Sequence, residues 1–362
     1  MSNKGQCFDS VIGESFALYH GDSVLAMPGL PDNSVGLSVS SWPFSDQYAY
    51  SPSPNDFGNC DGDDDFFAQM GFLLPELLRV TIPGRFAIVH CKDRILYGSR
   101  NDGWRKIIRF SDKCADAMER HGWDFFGRIT VATDPVRENA QTNNLPYSEL
   151  QKDASRFGVG MPEYLLLFRK PHTKTTEGGQ WSDERVAIDP NEYGLPRWQL
   201  DANSLWRSDG KRKPMPWEED AYSYAAHVAY LEELDRRMQL GRAHGQPVPT
   251  DSSFVWWDIS RIKVLNGRLA KESEDEKHIC PLQTDLIERC IMRWSNRGDV
   301  VLDYFAGIGS VPWQALKMGR RGVGVELKRS YYLVAARYLE DLELQLAQPM
   351  LPGFEGLAKE AA

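Results

Sequence analysis

The sequence has no uninterrupted apolar stretch of about 18 residues, which is the length that a membrane-spanning helix requires. Residues 1–5 also lead into no apolar segment of the kind found in secretory signal peptides. These absences predict a cytoplasmic protein without a membrane span. Cysteine is scarce as well, because the chain has 6 cysteines and no Cys-x-x-Cys pair. We therefore expect neither a zinc knuckle nor a disulfide framework, and no metal site.

Positive charge is in the minority, with 42 Lys and Arg residues against 51 Asp and Glu residues and a formal net charge of −9. This balance argues against a protein that coats nucleic acid over its whole surface, although a local basic face is compatible with it. With 362 residues, 42% of them hydrophobic, the chain can bury a large core. A disordered polymer is thereby excluded, and one large domain, or one domain with an insertion, is expected.

Short β-rich segments alternate with helix-length amphipathic segments, which is typical of α/β proteins. Strands are predicted over residues 15–20, 35–40, 85–90, 125–133, 163–169, 299–305 and 322–327. Helices are predicted over residues 64–80, 104–121, 284–294 and 330–346, with a further helix after Gly309. The pattern predicts two pieces of one sheet that flank a less regular insertion.

An apolar segment, Val300–Asp303, runs into Gly307 and Gly309 and then into a predicted helix. In an α/β sheet this places a turn with little side-chain bulk at the carboxyl end of a strand, where ligands bind. Glu326 ends the next predicted strand, at a spacing from Asp303 at which acidic residues take ribose hydroxyls. An isolated Gly-x-Gly is also compatible with an ordinary strand, turn and helix.

The third glycine of a dinucleotide-binding turn is missing, because Pro312 occupies that place. This disfavours a nucleotide-dependent oxidoreductase. Asp22 ends another predicted strand and could accept a hydrogen bond from an adenine amino group. Asp22, Asp303 and Glu326 together describe a nucleoside site without a phosphate clamp, which suits S-adenosylmethionine.

Ser41-Trp42-Pro43-Phe44 follows another predicted strand and precedes an aromatic, polar loop. Alone, this segment could be a strand end and a proline turn. In this order with the glycine turn, the chain resembles the DNA amino-methyltransferases of the beta arrangement, and is most similar to a subgroup common in phages and mobile elements. In that arrangement a catalytic motif, Asp/Asn/Ser-Pro-Pro-Tyr/Phe/Trp, precedes a target-recognition region and a C-terminal Phe-x-Gly-x-Gly cofactor motif. The matching motifs occur in order at residues 21–22, 41–44, 56–59, 75–77, 133–136, 160–164, 278–283, 302–310 and 324–327.

The resemblance implies an S-adenosylmethionine-dependent, Rossmann-like methyltransferase fold with permuted motif order. It implies a catalytic half at residues 8–171, an inserted target-recognition region at 172–255, a cofactor-binding half at 256–346 and a flexible tail at 347–362. The cofactor would be bound by the residues of the glycine and acidic motifs and by a histidine near the methionine end: Asp22, Asp303, Phe305, Gly307, Gly309, Glu326 and His278.

The implied reaction is methyl transfer from S-adenosylmethionine to the exocyclic amino group of a flipped DNA base, either adenine N6 or cytosine N4. Such an amine is a poor nucleophile because its lone pair is delocalised into the ring, so hydrogen-bond acceptors must engage it. By resemblance, the Ser41 hydroxyl and the main-chain carbonyl of Trp42 take the two amino hydrogens. Pro43 belongs to the same motif, and Phe44 stacks on the base.

Two positions depart from the family pattern. Trp42 stands where the family usually has proline, and Tyr304 stands where proline usually follows the motif aspartate. A large indole beside the base pocket is expected to narrow it, to shift base preference or to weaken catalysis. A DNA-binding protein that has lost catalysis is therefore one alternative, and an RNA methyltransferase is another.

Two groups of basic residues are candidates for contacts with double-stranded DNA. Lys211, Arg212 and Lys213 lie near tryptophans in the predicted insertion, a mixture that suits phosphate contacts. Arg137, Lys152 and Arg156 lie in the segment 133–160, which we expect to close over DNA beside the active site. A solvated charged loop is the alternative for any one of these residues. A homodimer is compatible with the sequence, which leaves a restriction partner open.

Overall fold

The computed structural model describes residues 5–133, 143–173, 175–176, 179–180, 184–188, 255–256, 259–265 and 282–348. The Cα positions divide the chain into a larger unit, Met1–Ala187 with Ile259–Ala347, and a smaller unit, Ile188–Asp258 with Gln348–Ala362. Among the described residues, no helix is both long and apolar enough to cross a membrane.

The described strands and helices alternate along the larger unit, as expected for an α/β protein. Its strands are β1 (Asp9–Ile12), β2 (Phe16–His20), β3 (Val35–Ser41), β4 (Thr81–Lys92), β5 (Arg94–Leu96), β6 (Lys106–Ile108), β7 (Asp124–Val131), β8 (Glu163–Arg169), β9 (Thr175–Thr176) and β10 (Gly179–Gln180). Further along the chain come β11 (Val255–Trp256), which belongs to the smaller unit, β12 (Val300–Asp303) and β13 (Arg321–Glu326). The helices are α1 (Ser23–Ala26), α2 (Asp63–Val80), α3 (Phe110–Arg120), α4 (Tyr147–Lys152), α5 (Thr284–Trp294), α6 (Ser310–Lys317) and α7 (Arg329–Ala347).

Within the larger unit, the main sheet has the strand order β1-β2-β13-β12-β3-β4-β8-β7. The central strands β2, β13, β12, β3 and β4 pair in parallel, so their carboxyl ends lie at the same edge of the sheet. The C-terminal strands β12 and β13 are inserted between β2 and β3, which come from the N-terminal part of the chain. This topology brings segments from both ends of the chain to one edge and confirms the predicted α/β fold.

The central strands are apolar because helices cover them. β3 is almost entirely buried, and α2 and α3 pack on the sheet through a core that includes Phe66, Leu74 and Phe110. A second core, which includes Phe16, Leu18 and Leu339, joins α7 to β2. The sheet is thus a rigid support for the residues that follow its strands.

The predicted helix over residues 104–121 is wrong in its first part. The structure has a hairpin, β5 and β6, between residues 94 and 108, and α3 begins only at Phe110. Lys106–Ile108 pair antiparallel with Arg94–Leu96 instead, and the left-handed angles of Asp102 and Gly103, with φ of 48° and 84°, form the turn just before the predicted start. The strand predicted over residues 85–90 is longer than expected, since β4 already begins at Thr81.

Candidate active site

A cavity of about 1030 Å³, including its open mouth, lies at the carboxyl ends of the parallel strands. Seven of the residues predicted from the sequence line it, namely Asp22, Ser41, Pro43, Asp303, Phe305, Gly307 and Glu326. The structure therefore brings the serine-headed segment and the acidic, glycine-rich turn together in one place.

Glu326 ends β13 in the wall of this cavity. Its Oε2 accepts a hydrogen bond from the Gly307 N–H at 2.8 Å, and its Oε1 accepts one from the Lys328 N–H at 2.7 Å. Burial nevertheless dominates and raises the pKa of Glu326 to about 8, with a contribution from the nearby Asp303 and Asp56 carboxyls. In the ligand-free protein this carboxyl therefore holds its proton at neutral pH.

Asp303 ends β12 and is 4% exposed. Its Oδ1 accepts hydrogen bonds from the Ser40 hydroxyl at 2.7 Å and from the Phe305 N–H at 3.0 Å. Burial raises the pKa of Asp303 to about 7 despite these two bonds. Asp22 lies beyond the end of β2, where it caps α1 by accepting from the Val24 N–H at 2.8 Å, and burial raises its pKa as well.

Gly307 and Gly309 are favoured in the turn for different structural reasons. Gly307 has a φ of 54°, lines the cavity, and has no described atom within 4 Å of the place where a Cβ would stand. Gly309 has a φ of 83° and does not line the cavity, and a Cβ there would lie only 2.9 Å from the Cβ of Ala335 in α7. Gly307 thus leaves space for a ligand, whereas Gly309 allows α6 and α7 to pack closely.

A loop that sequence reasoning left without a role forms another wall of the cavity. The buried Asp56 carboxylate accepts hydrogen bonds from the N–H groups of Tyr50 at 2.9 Å, Ser51 at 2.5 Å and Gly58 at 2.8 Å. These bonds fold the loop on itself and present Tyr50, Ser51 and Phe57 to the cavity. The signal in the sequence is an Asp-x-Gly turn, because a short acidic side chain often accepts from the backbone two residues later.

The side chain of Trp42 does not face the cavity. Its side chain is 1% exposed and packs in the core near Phe66, with ring centroids 6.4 Å apart. The indole N–H donates to the Tyr304 hydroxyl at 2.7 Å, and the main-chain N–H of Trp42 donates to the His90 carbonyl at 3.1 Å. The expected narrowing of the pocket is therefore not found, and the two departures from the family pattern are hydrogen-bond partners of each other.

Phe44 is partly buried and lies outside the cavity lining. Its ring lies edge-on to Tyr48 at a centroid distance of 6.5 Å, and its carbonyl accepts from Arg94 Nη1 at 3.0 Å. The buried Arg94 also pairs with Asp46 and Asp63. The stacking of Phe44 on a base stays a prediction, and Arg94, which sequence reasoning missed, holds the chain just after the serine-headed segment.

Ser41 has hydrogen-bonding partners that the sequence did not reveal. Its Oγ lies 2.9 Å from His90 Nδ1, and His90 Nε2 lies 3.2 Å from Glu163 Oε2. Arg261 Nη1 lies 2.7 Å from the same Glu163 oxygen. Since His90 and Glu163 are both buried, this chain of contacts extends from the cavity into the sheet.

The predicted DNA contacts are only partly within the described residues. Arg137, Lys211, Arg212 and Lys213 lie outside them, as does His278 of the predicted cofactor site. Lys152 is exposed, and its Nζ lies 2.6 Å from Glu149 Oε1. Arg105 donates to the Arg156 carbonyl at 3.2 Å, which joins the β5–β6 hairpin to the segment after α4.

The β5–β6 hairpin exposes aromatic and basic side chains, of which Trp104 and Lys106 lie in the segment that was predicted to be a helix. Trp104 is 78% exposed, and Tyr97 and Lys106 are exposed on the same hairpin. Arg100 of the hairpin pairs with Asp46, so this surface adjoins the segment that follows Phe44.

Within the described ranges, no group of three or more His, Cys, Asp or Glu side chains could hold a metal ion.

Comparison with known proteins gives a family match over most of the chain, since the model of the DNA methylase family matches residues 37–337. The type II methyltransferase M1.MboII of Moraxella bovis is 39% identical over 80 residues, which are 22% of this chain and 29% of that protein. The DNA adenine methyltransferase YhdJ of Escherichia coli K12 is 33% identical over 84 residues, which are 23% of this chain and 26% of that protein. The chain thus spans less than a third of the length of these curated relatives.

Two solved structures are similar to most of the chain at low sequence identity. TTHA0409 of Thermus thermophilus, complexed with S-adenosyl-L-methionine, is 21% identical, with a TM-score of 0.49 over 93% of this chain and 96% of that one. The cytosine-N4-specific PvuII DNA methyltransferase is 12% identical, with a TM-score of 0.48 over 96% of this chain and 92% of that one.

Proposed function

The chain belongs to the DNA methylase family, and on this premise we propose that it transfers a methyl group from S-adenosylmethionine to the exocyclic amino group of a base in double-stranded DNA. The target is adenine N6 or cytosine N4. The observation that carries the proposal is the shared cavity, in which Ser41 lies together with Asp303, Gly307 and Glu326. A cofactor site and an amine-binding segment in one cavity are what direct methyl transfer requires.

The acidic wall of the cavity suits this cofactor. Burial has the largest effect on the pKa values of both Asp303 and Glu326, and their hydrogen-bond donors among the described residues are backbone N–H groups and the Ser40 hydroxyl. S-adenosylmethionine has ribose hydroxyls, a sulfonium and an ammonium group, and it supplies an electrophilic methyl group on positively charged sulfur. In this proposal Glu326 accepts from the ribose hydroxyls, Gly307 leaves space for the nucleoside, and Asp22 accepts from the adenine amino group.

The part of the cavity that Ser41 lines would hold the target amine. The Ser41 hydroxyl and the main-chain carbonyl of Trp42 are the two acceptors for the amino hydrogens. The Trp42 segment is fixed on two sides, by its N–H bond to the His90 carbonyl and by its indole bond to Tyr304. In relatives with proline at this position, the proline ring restricts the backbone beside the acceptor carbonyl. Here the two hydrogen bonds of Trp42 hold the backbone at the same place. Trp42 therefore gives no reason to favour the alternative of an inactive DNA-binding protein.

DNA would lie over the surface formed by the β5–β6 hairpin and the segment 143–160. This surface combines the exposed Trp104 with the cationic groups of Arg105, Lys106, Lys152 and Arg156, a composition that favours phosphate contacts and base stacking. Arg137 and the cluster Lys211–Lys213 stay in the proposal as further DNA contacts. Target recognition by residues 172–255 is likewise part of it.

The test is incubation of the purified protein with unmethylated duplex DNA and S-adenosylmethionine that has a deuterated methyl group. Digestion to nucleosides and mass spectrometry should reveal labelled N6-methyladenine or N4-methylcytosine, which also identifies the base. Ser41→Ala is the matched control and should yield much less product. Labelling of RNA but not of duplex DNA would instead support the RNA alternative, and labelling of neither would reject the proposal.

A further inference from the structure

We propose that His90 and Glu163 form a relay behind Ser41, which turns the serine hydroxyl into a hydrogen-bond acceptor for the target amine and takes up the proton that methyl transfer releases. His90 and Glu163 are positioning residues, because they act through Ser41. The inference rests on the proposed function for its substrate, whereas the contacts that carry it belong to the ligand-free protein.

The charge of Glu163 determines the direction of every hydrogen bond in the relay. Burial alone would raise the pKa of Glu163, but the hydrogen bond from His90, the positive charge that His90 has when it is doubly protonated, and Arg261 lower it to about 2. Glu163 is therefore ionised at neutral pH and can only accept hydrogen bonds. His90 must consequently carry its proton on Nε2, which lies 3.2 Å from Glu163 Oε2.

A neutral imidazole that is protonated on Nε2 has an acceptor at Nδ1. Ser41 then donates its only hydroxyl hydrogen to His90 Nδ1 across 2.9 Å. The remaining lone pairs of the Ser41 oxygen are free to accept from an amino group in the cavity. A carboxylate at the head of the motif would be an acceptor without help, whereas a serine needs a partner that fixes the direction of its hydroxyl.

The sheet holds the three residues in register. Ser41 is the Cα partner of His90 in the β3–β4 ladder, and Glu163 is paired with Lys92 in the β4–β8 ladder. The side chains of His90 and Glu163 are 9% and 8% exposed, so little water competes for their hydrogen bond. His90 also accepts the main-chain bond of Trp42, so one residue supports both proposed acceptors of the target amine.

The relay provides a balanced route for the proton. A bond forms between the amino nitrogen and the methyl carbon while the carbon–sulfur bond breaks, and the electron pair of the broken bond stays on sulfur. The amino nitrogen then gives one proton to Ser41 Oγ, and the original hydroxyl proton of Ser41 passes to His90 Nδ1. The positive charge ends on the imidazolium beside the Glu163 carboxylate, and the proton is later released to solvent. His90 contacts Glu163, and Arg261 pairs with the same Glu163 oxygen.

The first test needs no activity. In the cofactor-free protein labelled with ¹⁵N-histidine, the His90 signals are identified by their absence in His90→Asn. The relay predicts that His90 is protonated on Nε2 and bare on Nδ1, and that Glu163→Gln disturbs this state. A His90 that is protonated on Nδ1 in the wild-type protein would overturn the relay, whether or not the protein methylates DNA.

The second test measures single-turnover methyl transfer with cofactor and DNA at saturation. Loss of a positioned proton acceptor typically costs about 100-fold or more, so His90→Asn should lower the rate by about 100-fold and Glu163→Gln by a smaller factor. The affinity for cofactor should stay within about twofold in both variants. An unchanged single-turnover rate in His90→Asn would count against the proton transfer.

A double variant separates the relay from general damage to the fold. Because Ser41 and His90 act as a unit, Ser41→Ala combined with His90→Asn should be no slower than Ser41→Ala alone. Rates that multiply would show that His90 acts independently of Ser41 and would overturn the proposal. If the wild-type protein transfers no methyl group to DNA, the proposed function fails, and the histidine spectrum still decides the relay.

Discussion

Two glutamates at the site have opposite ionisation, since Glu326 lines the cavity and Glu163 is buried behind Ser41 and His90. Burial raises the pKa of Glu326 to about 8, whereas the pKa of Glu163 is lowered to about 2 although burial alone would raise it. The difference lies in their partners, because Glu163 accepts a hydrogen bond from His90 and pairs with Arg261, whereas the hydrogen-bond donors to Glu326 among the described residues are backbone N–H groups. The protein itself supplies the partners of Glu163, and we infer that a ligand supplies those of Glu326.

The largest expected effect follows from removing the charge of Glu326. Glu326→Gln keeps the volume of the side chain but loses the charge-assisted bonds to the ribose hydroxyls, each of which contributes about 1.5–3 kcal/mol. We expect S-adenosylmethionine to bind about 30- to 100-fold more weakly in isothermal titration calorimetry at pH 8.5. Glu163→Gln is the matched control and should bind the cofactor within about twofold of the wild type. An equal loss of cofactor affinity in both variants would contradict the assignment of cofactor binding to Glu326 alone.

The next effect is a dependence of cofactor binding on pH. Because the pKa of Glu326 is raised to about 8, the ligand-free carboxyl is protonated below that pH and must lose its proton to accept from hydroxyls. Affinity should therefore rise by about tenfold or more between pH 6 and pH 8 and level off above pH 8. Binding at pH 7 should release a proton, which calorimetry in two buffers of different ionisation enthalpy detects. Glu326→Gln should reduce this dependence, and an unchanged pH profile in that variant would contradict the assignment.

The residues of the proposed cofactor wall were more predictable from the sequence than those of the wall that Ser41 lines. Asp303, Gly307 and Glu326 belong to consecutive strand, turn and helix signals, so their spacing along the chain predicts their place at one edge of the sheet. Ser41 was found in the same way. The order of the motifs, read as a resemblance, gave the family that the family model confirms, while the phage and mobile-element subgroup stays a prediction.

The partners of Ser41 and Trp42 could not be predicted from spacing. His90 and Glu163 are 73 residues apart, and they meet only because β4 and β8 pair in one register. Trp42 and Tyr304 are 262 residues apart, and their contact depends on the insertion of β12 beside β3. A one-residue shift in either ladder would turn these side chains to the other face.

A smaller effect is expected from removing the hydrogen bond between the Trp42 indole and the Tyr304 hydroxyl. Trp42→Phe leaves the buried Tyr304 hydroxyl without its indole donor, and we expect a loss of about 1–3 kcal/mol in the free energy of unfolding, measured in urea. Trp42→Phe combined with Tyr304→Phe should be less destabilised than the sum of the single variants. Strict additivity would mean that the bond contributes nothing. Trp42→Pro loses both the indole and the N–H bond to His90, so it should destabilise the fold and not improve activity.

The smallest effect should come from the surface outside both walls. Replacing Trp104, Lys152 and Arg156 by alanine should weaken DNA binding by about three- to tenfold, with a shallower dependence on salt because phosphate contacts are lost. The affinity for S-adenosylmethionine should stay unchanged, as measured by calorimetry beside a fluorescence anisotropy titration of duplex DNA. Unaltered DNA affinity in the triple variant would remove this surface from the proposed interface.

The most direct test of the division between the walls is single-turnover methyl transfer to duplex DNA, measured in parallel for Glu326→Gln and Glu163→Gln over a range of cofactor concentrations. We predict that Glu326→Gln needs far more cofactor but approaches the wild-type rate at saturation. Glu163→Gln should saturate at the wild-type concentration and remain slower throughout. The same pattern in both variants, or no transfer by the wild-type protein, would contradict a cavity in which one wall binds the cofactor and the other carries out the transfer.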